Sequence, residues 1–229
     1  MSQDAPLVQC LGAGRTYGSG PTASVALQPC DCTVSSDQRI AVVGPSGSGK
    51  STLLHLMAGL DEPTVGTVAW PAIGGREALR PGPVAVIFQG PSLLAPLTVE
   101  ENVALPLILE GRRDLDARAA ARAALKRLDL SALAAKLPEE LSGGQAQRVA
   151  VCRALAGRPR LILADEPTGQ LDQGNGAAVV DALLEAATHA DAALVVSTHD
   201  SAVAQRLSER WEIHSGRLDT REKEGAWSR

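Results

Sequence analysis

The stretch "RIAVVGPSGSGKST", Arg39 to Thr52, decides the fold. "RIAVVG" is a short apolar run ending in glycine and reads as a buried strand. The next residues fit G-x-x-x-x-G-K-[ST] from Gly44 to Ser51, and "KSTLLHLMAGL" then continues at helical spacing. In a strand–loop–helix setting this pattern wraps phosphates. The backbone from Gly44 through Pro45, Ser46, Gly47, Ser48 and Gly49 closes round the anion, helped by the helix N-terminus. Lys50 puts its charge on the β- and γ-phosphates, Ser51 offers a hydroxyl to Mg²⁺, and Thr52 completes the phosphate-binding set. A turn that only connected two elements would need glycine, but not Gly-Lys-Ser.

Working outward, "VAVIF" (84–88), "LILAD" (161–165) and "ALVVST" (193–198) are three more short runs bounded by turn signals. Such runs, alternating with helix-like segments, predict an α/β core on a mostly parallel sheet covered on both faces. "LILADEP" delivers Asp165 to the carboxyl end of its strand, where it can hold Mg²⁺ through water. Glu166 follows, placed to accept a proton from an attacking water. An isolated Asp-Glu pair after a strand is commonplace; beside a phosphate loop it reads as catalytic.

Two regions depart from that alternation. Residues 92 to 155 are rich in Ala, Leu and Arg, as in "DLDARAAARAALKRLDL", and predict a helical subdomain inserted into the core. The segment from Leu7 to about Ser35, with its alternating "SVALQPCDCTVS", predicts an antiparallel sheet at one edge. "SAVAQRL" predicts a short helix, and "RWEIHSGRLD" a closing hairpin round Ser215-Gly216. The tail "TREKEGAWSR" reads as charged and frayed.

Composition narrows the classes. The chain has 229 residues, enough for one domain with a substantial core, and aromatics are scarce, so Leu, Val, Ile and Ala must build that core. A net charge of −4 gives no basic face for nucleic acid. The N-terminus lacks the basic start and apolar run of a signal peptide, and no apolar run approaches a membrane span, so a soluble cytoplasmic protein is expected. Cys10, Cys30, Cys32 and Cys152 are too few and scattered for a disulfide framework. Cys30 and Cys32 would face the same way on a strand but lack further ligands, so they read as small buried side chains.

"LSGGQAQRV", Leu141 to Val149, adds a second glycine-rich turn at a helix start, with no second lysine. Together with "FQ" at Phe88-Gln89, "LILADEPT" at Leu161, "GQLD" at Gly169 and "STHD" at Ser197, the ordered set resembles the nucleotide-binding subunit of an ATP-binding cassette (ABC) transporter over nearly the whole chain. The resemblance implies a P-loop NTPase core in a single domain, 1–229, that binds ATP with Mg²⁺ and hydrolyses it. It also explains the second glycine turn. In the family two cassettes pack head to tail, and Ser142, Gly143, Gly144 and Gln145 of each would close on the ATP held by the other. One copy would be catalytically incomplete.

Further roles are carried over one residue at a time. Tyr17, in "RTYGSG", matches the adenine-stacking aromatic. Gln89 matches the glutamine that reaches Mg²⁺ and the attacking water. His199 matches the switch histidine on the γ-phosphate, and Asp172 the aspartate at the dimer interface. "YGSGPTASVAL", "GLDEPTVGTV" and "PTGQLD" look like cassettes of lipoprotein-release and macrolide-export systems, which pair a cassette homodimer with a four-helix membrane subunit. That implies an integral membrane permease as second partner, no nucleic acid, and a peripheral place on the inner face of the cell membrane. An importer ATPase, or a soluble cassette ATPase of repair or translation, are the alternatives; the latter usually need a long coiled coil or a second cassette. "SLLAPLTVEENVALPLIL" is apolar enough either to dock a membrane subunit's helix or to form a buried hinge. Two departures stand out: Gln170 replaces the Asn common in relatives, and the segment 71–87 is short and rich in Pro and Gly, which leaves the local sheet edge open.

Overall fold

The structure is a computed structural model that describes residues 5–90, 92–169 and 171–220. Gln170 and the tail from Arg221 onward, Trp227 included, lie outside the described residues. The first half of the chain runs β1 (Val8–Tyr17), β2 (Ser24–Val34), β3 (Arg39–Val43), α1 (Lys50–Met57), β4 (Val65–Ala69) and β5 (Val84–Ile87). Three helices follow: α2 (Val99–Leu109), α3 (Asp114–Arg127) and α4 (Gly143–Leu155). The chain then returns through β6 (Leu161–Asp165), α5 (Gln173–Ala190), β7 (Ala193–Thr198), α6 (Ser201–Ala204), β8 (Glu209–His214) and β9 (Arg217–Asp219).

Six strands form one sheet in the order β5-β6-β7-β3-β8-β9. All its neighbours are parallel except the hairpin β8–β9, where Ile213 pairs with Leu218 and His214 with Arg217. The period of two along each strand explains why these runs are apolar throughout. Ile40 and Val42 of β3 join Leu161 and Leu163 of β6 on one face, packed on Leu53, Leu54, Leu56 and Met57 of α1. Ala41 and Val43 join Ile162, Ala164, Leu194 and Val196 on the other, packed on Val179, Val180 and Leu183 of α5. Both faces are buried, so polar side chains are confined to the strand ends, where Asp165, Ser197 and Thr198 sit.

The expected antiparallel pair is present as part of a second sheet, in the order β2-β1-β4. β4, which the sequence left unassigned, completes it. Its burial is slight, with Val65 half exposed, so no apolar run marks it. Leu7, Cys10, Leu27, Cys32 and Val34 face α1 and close the first core layer. Cys10 and Cys32 are direct cross-strand partners, and all four cysteines are buried. Burial pushes the Cys152 thiol up to about 12, which suits inert packing.

Between β5 and β6 the chain is helical. Val99, Val103 and Leu107 of α2, Ala117, Ala121 and Leu125 of α3, and Val149 and Cys152 of α4 make a core of their own. Alanine at the α3 contact lets the helices approach closely. Thr98 and Glu101 close a reciprocal capping box that fixes where α2 begins. The short 71–87 segment folds as a bridge from Trp70 to Gly74, a 3-10 turn at Arg76–Ala78, and then β5, which pairs with β6 and closes the sheet edge. Among the described residues no helix is long and apolar enough to cross a membrane.

Candidate active site

The carboxyl ends of β3, β5, β6 and β7 come together on one rim of the sheet, the position where open α/β sheets hold ligands. From β3 the loop 44–49 leads into α1. Gly49 is the N-cap at φ 110, and a Cβ there would lie 2.4 Å from the Ala26 carbonyl oxygen. Only glycine allows both the left-handed turn and that approach of β2. The β8–β9 turn supports the loop from below, where the Gly216 N–H donates to the Ser48 carbonyl at 2.9 Å.

Loop and strands enclose a cavity of about 370 Å³, lined by Ala26, Ser46, Gly47, Gly49, Lys50, Ser51, Thr52, Gln89 and Glu166. Lys50 is buried. Its Nζ donates to the Gly44 carbonyl at 2.9 Å and the Pro45 carbonyl at 3.1 Å, and stands 3.0 Å from Glu166 Oε1. Within the chain the Glu166 carboxylate is therefore the counter-charge of Lys50. Glu166 Oε2 lies 3.3 Å from His199 Nδ1.

β7 also grips the base of that glutamate. The Glu166 N–H donates to the Ser197 carbonyl at 3.1 Å and to Ser197 Oγ at 2.9 Å, while Ser197 Oγ–H donates to Asp165 Oδ1 at 2.6 Å. Ser51, Gln89 and Asp165 offer a hydroxyl, an amide and a carboxylate, the hard oxygen donors that Mg²⁺ takes. Ser51 and Gln89 face the same cavity, so the residues present fit that ion. Among the described residues no three His, Cys, Asp or Glu gather into a metal-binding group.

Other predicted positions lie outside the cavity. Ser142 caps α4: its Oγ accepts from the Gln145 N–H at 3.3 Å, and Gln145 Oε1 accepts from the Ser142 N–H at 3.0 Å. The serine hydroxyl is an acceptor in the cap, so its proton stays available to a ligand. Asp172 caps α5, with both oxygens taking hydrogen bonds from Asn175, and those bonds hold its carboxyl below the usual range. Gly144 approaches Asn175 so closely that a Cβ would come within 2.8 Å of its Cγ. Gly143 is exposed, and a Cβ there would meet nothing within 4 Å. Tyr17 is 40 % exposed; its hydroxyl donates to Asp61 Oδ2 at 2.8 Å, and the Arg15 guanidinium stacks 4.8 Å from the ring centre.

Two site residues escaped the sequence reading. Ala26 contributes through its backbone, for which no letter is a signal. Ser197 had one: a hydroxyl directly after the apolar run of its strand.

Comparison with known proteins agrees with this arrangement. A family profile described as ABC transporter matches residues 27–169. The lipoprotein-releasing system ATP-binding protein LolD of Legionella pneumophila (strain Paris) is 40 % identical over 215 residues, covering 91 % of this chain and 95 % of that protein. Its namesake in Shewanella oneidensis is 39 % identical over 223 residues, covering 94 % and 97 %. Among solved structures, the dimeric post-hydrolysis cassette MJ0796 bound to ADP and Pi superposes with a TM-score of 0.84 at 34 % identity, covering 94 % of this chain and 97 % of that one. The cbiO1 cassette from Clostridium perfringens, at 24 % identity and a TM-score of 0.81, shares the fold. A phosphate loop, an acidic pair and a histidine gathered at one sheet rim, on a chain so similar to these cassettes, belong to an ATP-binding, ATP-hydrolysing member of the ABC transporter family.

Proposed function

We propose that two copies of this cassette close head to tail on two ATP molecules and drive an integral membrane partner of the lipoprotein-release, mechanotransmission type. The observation that carries the pairing is Gly143. Glycine is a poorer helix former than alanine, by roughly 0.5–1 kcal/mol in a helix interior. Among the described residues nothing crowds this position. Its reason lies outside the chain, where a second copy's nucleotide would approach the exposed Ser142 hydroxyl and the first N–H groups of α4.

In that arrangement the loop 44–49, Lys50 and Thr52 bind the phosphates, and Tyr17 stacks on the adenine. Ser51, Gln89 and Asp165 would hold Mg²⁺, which when bound would supply charge neutralisation at the phosphate oxygens. Glu166 leaves Lys50 when phosphate arrives and orients the water, accepting its proton, while His199 turns to the γ-phosphate. Ser142, Gly143, Gly144 and Gln145 complete the partner's site, and Asp172 at the head of α5 faces the second copy. The domain is single, 1–229, and its helical subdomain, 92–155, moves as a unit on β5 and β6.

A groove of about 420 Å³ between β5, α2 and the end of α4 supports the membrane partner. Leu105, Pro106 and Leu109 line it beside Val84 and Val86. One side of α2 is committed to the helical core and the other is open, with Leu109 65 % exposed. Docked there, the cassette is cytoplasmic and peripheral on the inner face of the membrane, and export or mechanotransmission is the direction that the LolD likeness favours.

The test is the Glu166→Gln variant with ATP and Mg²⁺ in sizing chromatography. Binding survives while water activation fails, so a stable dimer is expected. A variant that stays monomeric while saturated with nucleotide would overturn the pairing.

A further inference from the structure

We propose that Ser197 is a positioning residue for hydrolysis, the single hydroxyl that sets the metal-side carboxylate and the general base against each other. The proposal rests on the reading of Asp165 and Glu166 given above. Asp165 and Ser197 are register partners on the parallel strands β6 and β7, so their side chains leave the sheet on the same side. Ser197 is fully buried at 0 % exposure, preceded in its strand by the apolar Ala193, Leu194, Val195 and Val196 and followed by the buried Thr198. A hydroxyl there costs desolvation unless it is bonded, and this one is bonded twice.

The direction of those bonds carries the argument. Ser197 Oγ accepts the Glu166 N–H at 2.9 Å, so its own proton is left for Asp165 Oδ1 at 2.6 Å. Among the described residues that hydroxyl is the one hydrogen-bond donor to the Asp165 carboxylate. With Oδ1 engaged, the carboxylate is fixed in rotation and Oδ2 is the oxygen that remains for a metal-bound water. The same atom helps hold Glu166 at φ 42, a left-handed backbone that a glutamate rarely adopts. The left-handed turn delivers the Glu166 side chain to Lys50 and His199. One hydroxyl on β7 thus fixes two neighbouring acids of β6 that serve different partners. Valine, which would suit this buried strand better by propensity, would release Asp165 and leave the Glu166 N–H only the Ser197 backbone carbonyl.

The test compares Ser197→Thr with Ser197→Val, two side chains of the same shape that differ in the hydroxyl. Turnover and KM are read in the full-length protein, and Mn²⁺ binding to the ADP complex by electron paramagnetic resonance. Ser197→Thr should keep kcat and Mn²⁺ affinity within about twofold of the parent. Ser197→Val should lose about tenfold in both, the scale of one buried hydrogen bond to a charged group, with KM for ATP nearly unchanged. Equal Mn²⁺ affinities in Thr and Val overturn the proposal whatever turnover does, because strain from the added methyl is common to both. Asp165→Ala separates this from the site reading. If it leaves Mn²⁺ affinity intact, the metal assignment falls and the proposal with it; if it weakens Mn²⁺ while Thr and Val agree, Ser197 alone is reduced to packing.

Discussion

Lys50 has three partners within the chain: two carbonyl oxygens of its own loop and the carboxylate of Glu166. The carbonyls shape the loop, whereas the carboxylate competes with phosphate for the same ammonium. Replacing Glu166 by alanine should therefore tighten binding of a non-hydrolysable ATP analogue to the dilute, metal-free monomer by about tenfold, equal to about 1.4 kcal/mol. It should also lower the melting temperature without nucleotide, because a buried ammonium loses its counter-charge. Unchanged affinity in a fluorescence titration would mean that the pair does not form in solution. Lys50 and Glu166 could be read from their motifs beside apolar strands, whereas Gln89 and His199 were named only through the family resemblance. The Lys50–Glu166 pair was not legible, since 116 positions of chain separate its members and only the adjacency of β3, β7 and β6 brings them together. Tyr17 shows the opposite limit. Its letter was legible, but the structure seats it against Arg15 and Asp61 and outside the cavity lining, so its adenine role belongs to the proposed complex.

Among the elements, α4 carries the clearest conflict between local stability and use. Its start is Gly143-Gly144, two poor helix formers in succession, and the two glycines answer to different constraints. Gly144 is explained within the chain by its close approach to Asn175 at the head of α5. Gly143 is not. Gly143→Ala should raise the melting temperature, worth up to about 1 kcal/mol, while turnover falls by about tenfold or more and nucleotide binding to the monomer is unchanged. Gly144→Ala should destabilise instead, since its Cβ displaces the Asn175 side chain that completes the Asp172 cap. Calorimetry beside an ATPase assay reads both, and a Gly143→Ala protein with full turnover would remove the main support for a second chain at this helix. The central parallel strands could be read because burial on both faces leaves most of each run apolar, with Arg39, Asp165, Ser197 and Thr198 at their ends. β4 could not, since it lies on one edge of the outer sheet, largely exposed, and a Gly-Thr pair interrupts its apolar pattern. The helical segment was legible from its Ala, Leu and Arg spacing, but which side of α2 stays open was not, because Leu105, Leu107, Ile108 and Leu109 read alike until α3 and α4 cover one of them.

At the scale of the molecule, the cavity and the groove lie at opposite ends of one short path. Gln89 lines the nucleotide cavity directly after β5, and β5 itself lines the groove with Val84 and Val86. Gln147 of α4 ties the two together, its Nε2 donating to the Phe88 carbonyl at 3.1 Å from a fully buried side chain. A shift of Gln89 toward Mg²⁺ would thus pull on the strand and on the helix that frame the docking groove. If the groove seats a membrane partner's helix, Leu109→Glu should place a charge in that contact and abolish co-purification with the membrane subunit from detergent. Basal hydrolysis and ATP-driven dimerisation should persist, since Leu109 is remote from both and already exposed. Leu115→Glu is the control: Leu115 is even more exposed, at 79 %, but sits at the start of α3 and outside the groove. Loss of the partner in the first variant and not in the second places the contact on α2 and β5. Loss in both would mean that the partner reads the whole apolar surface of the helical segment, and retention in both would move the membrane contact to another face. The protein recovered alongside then speaks to direction: a four-helix subunit with a large external domain supports export or mechanotransmission, and a many-helix permease supports import.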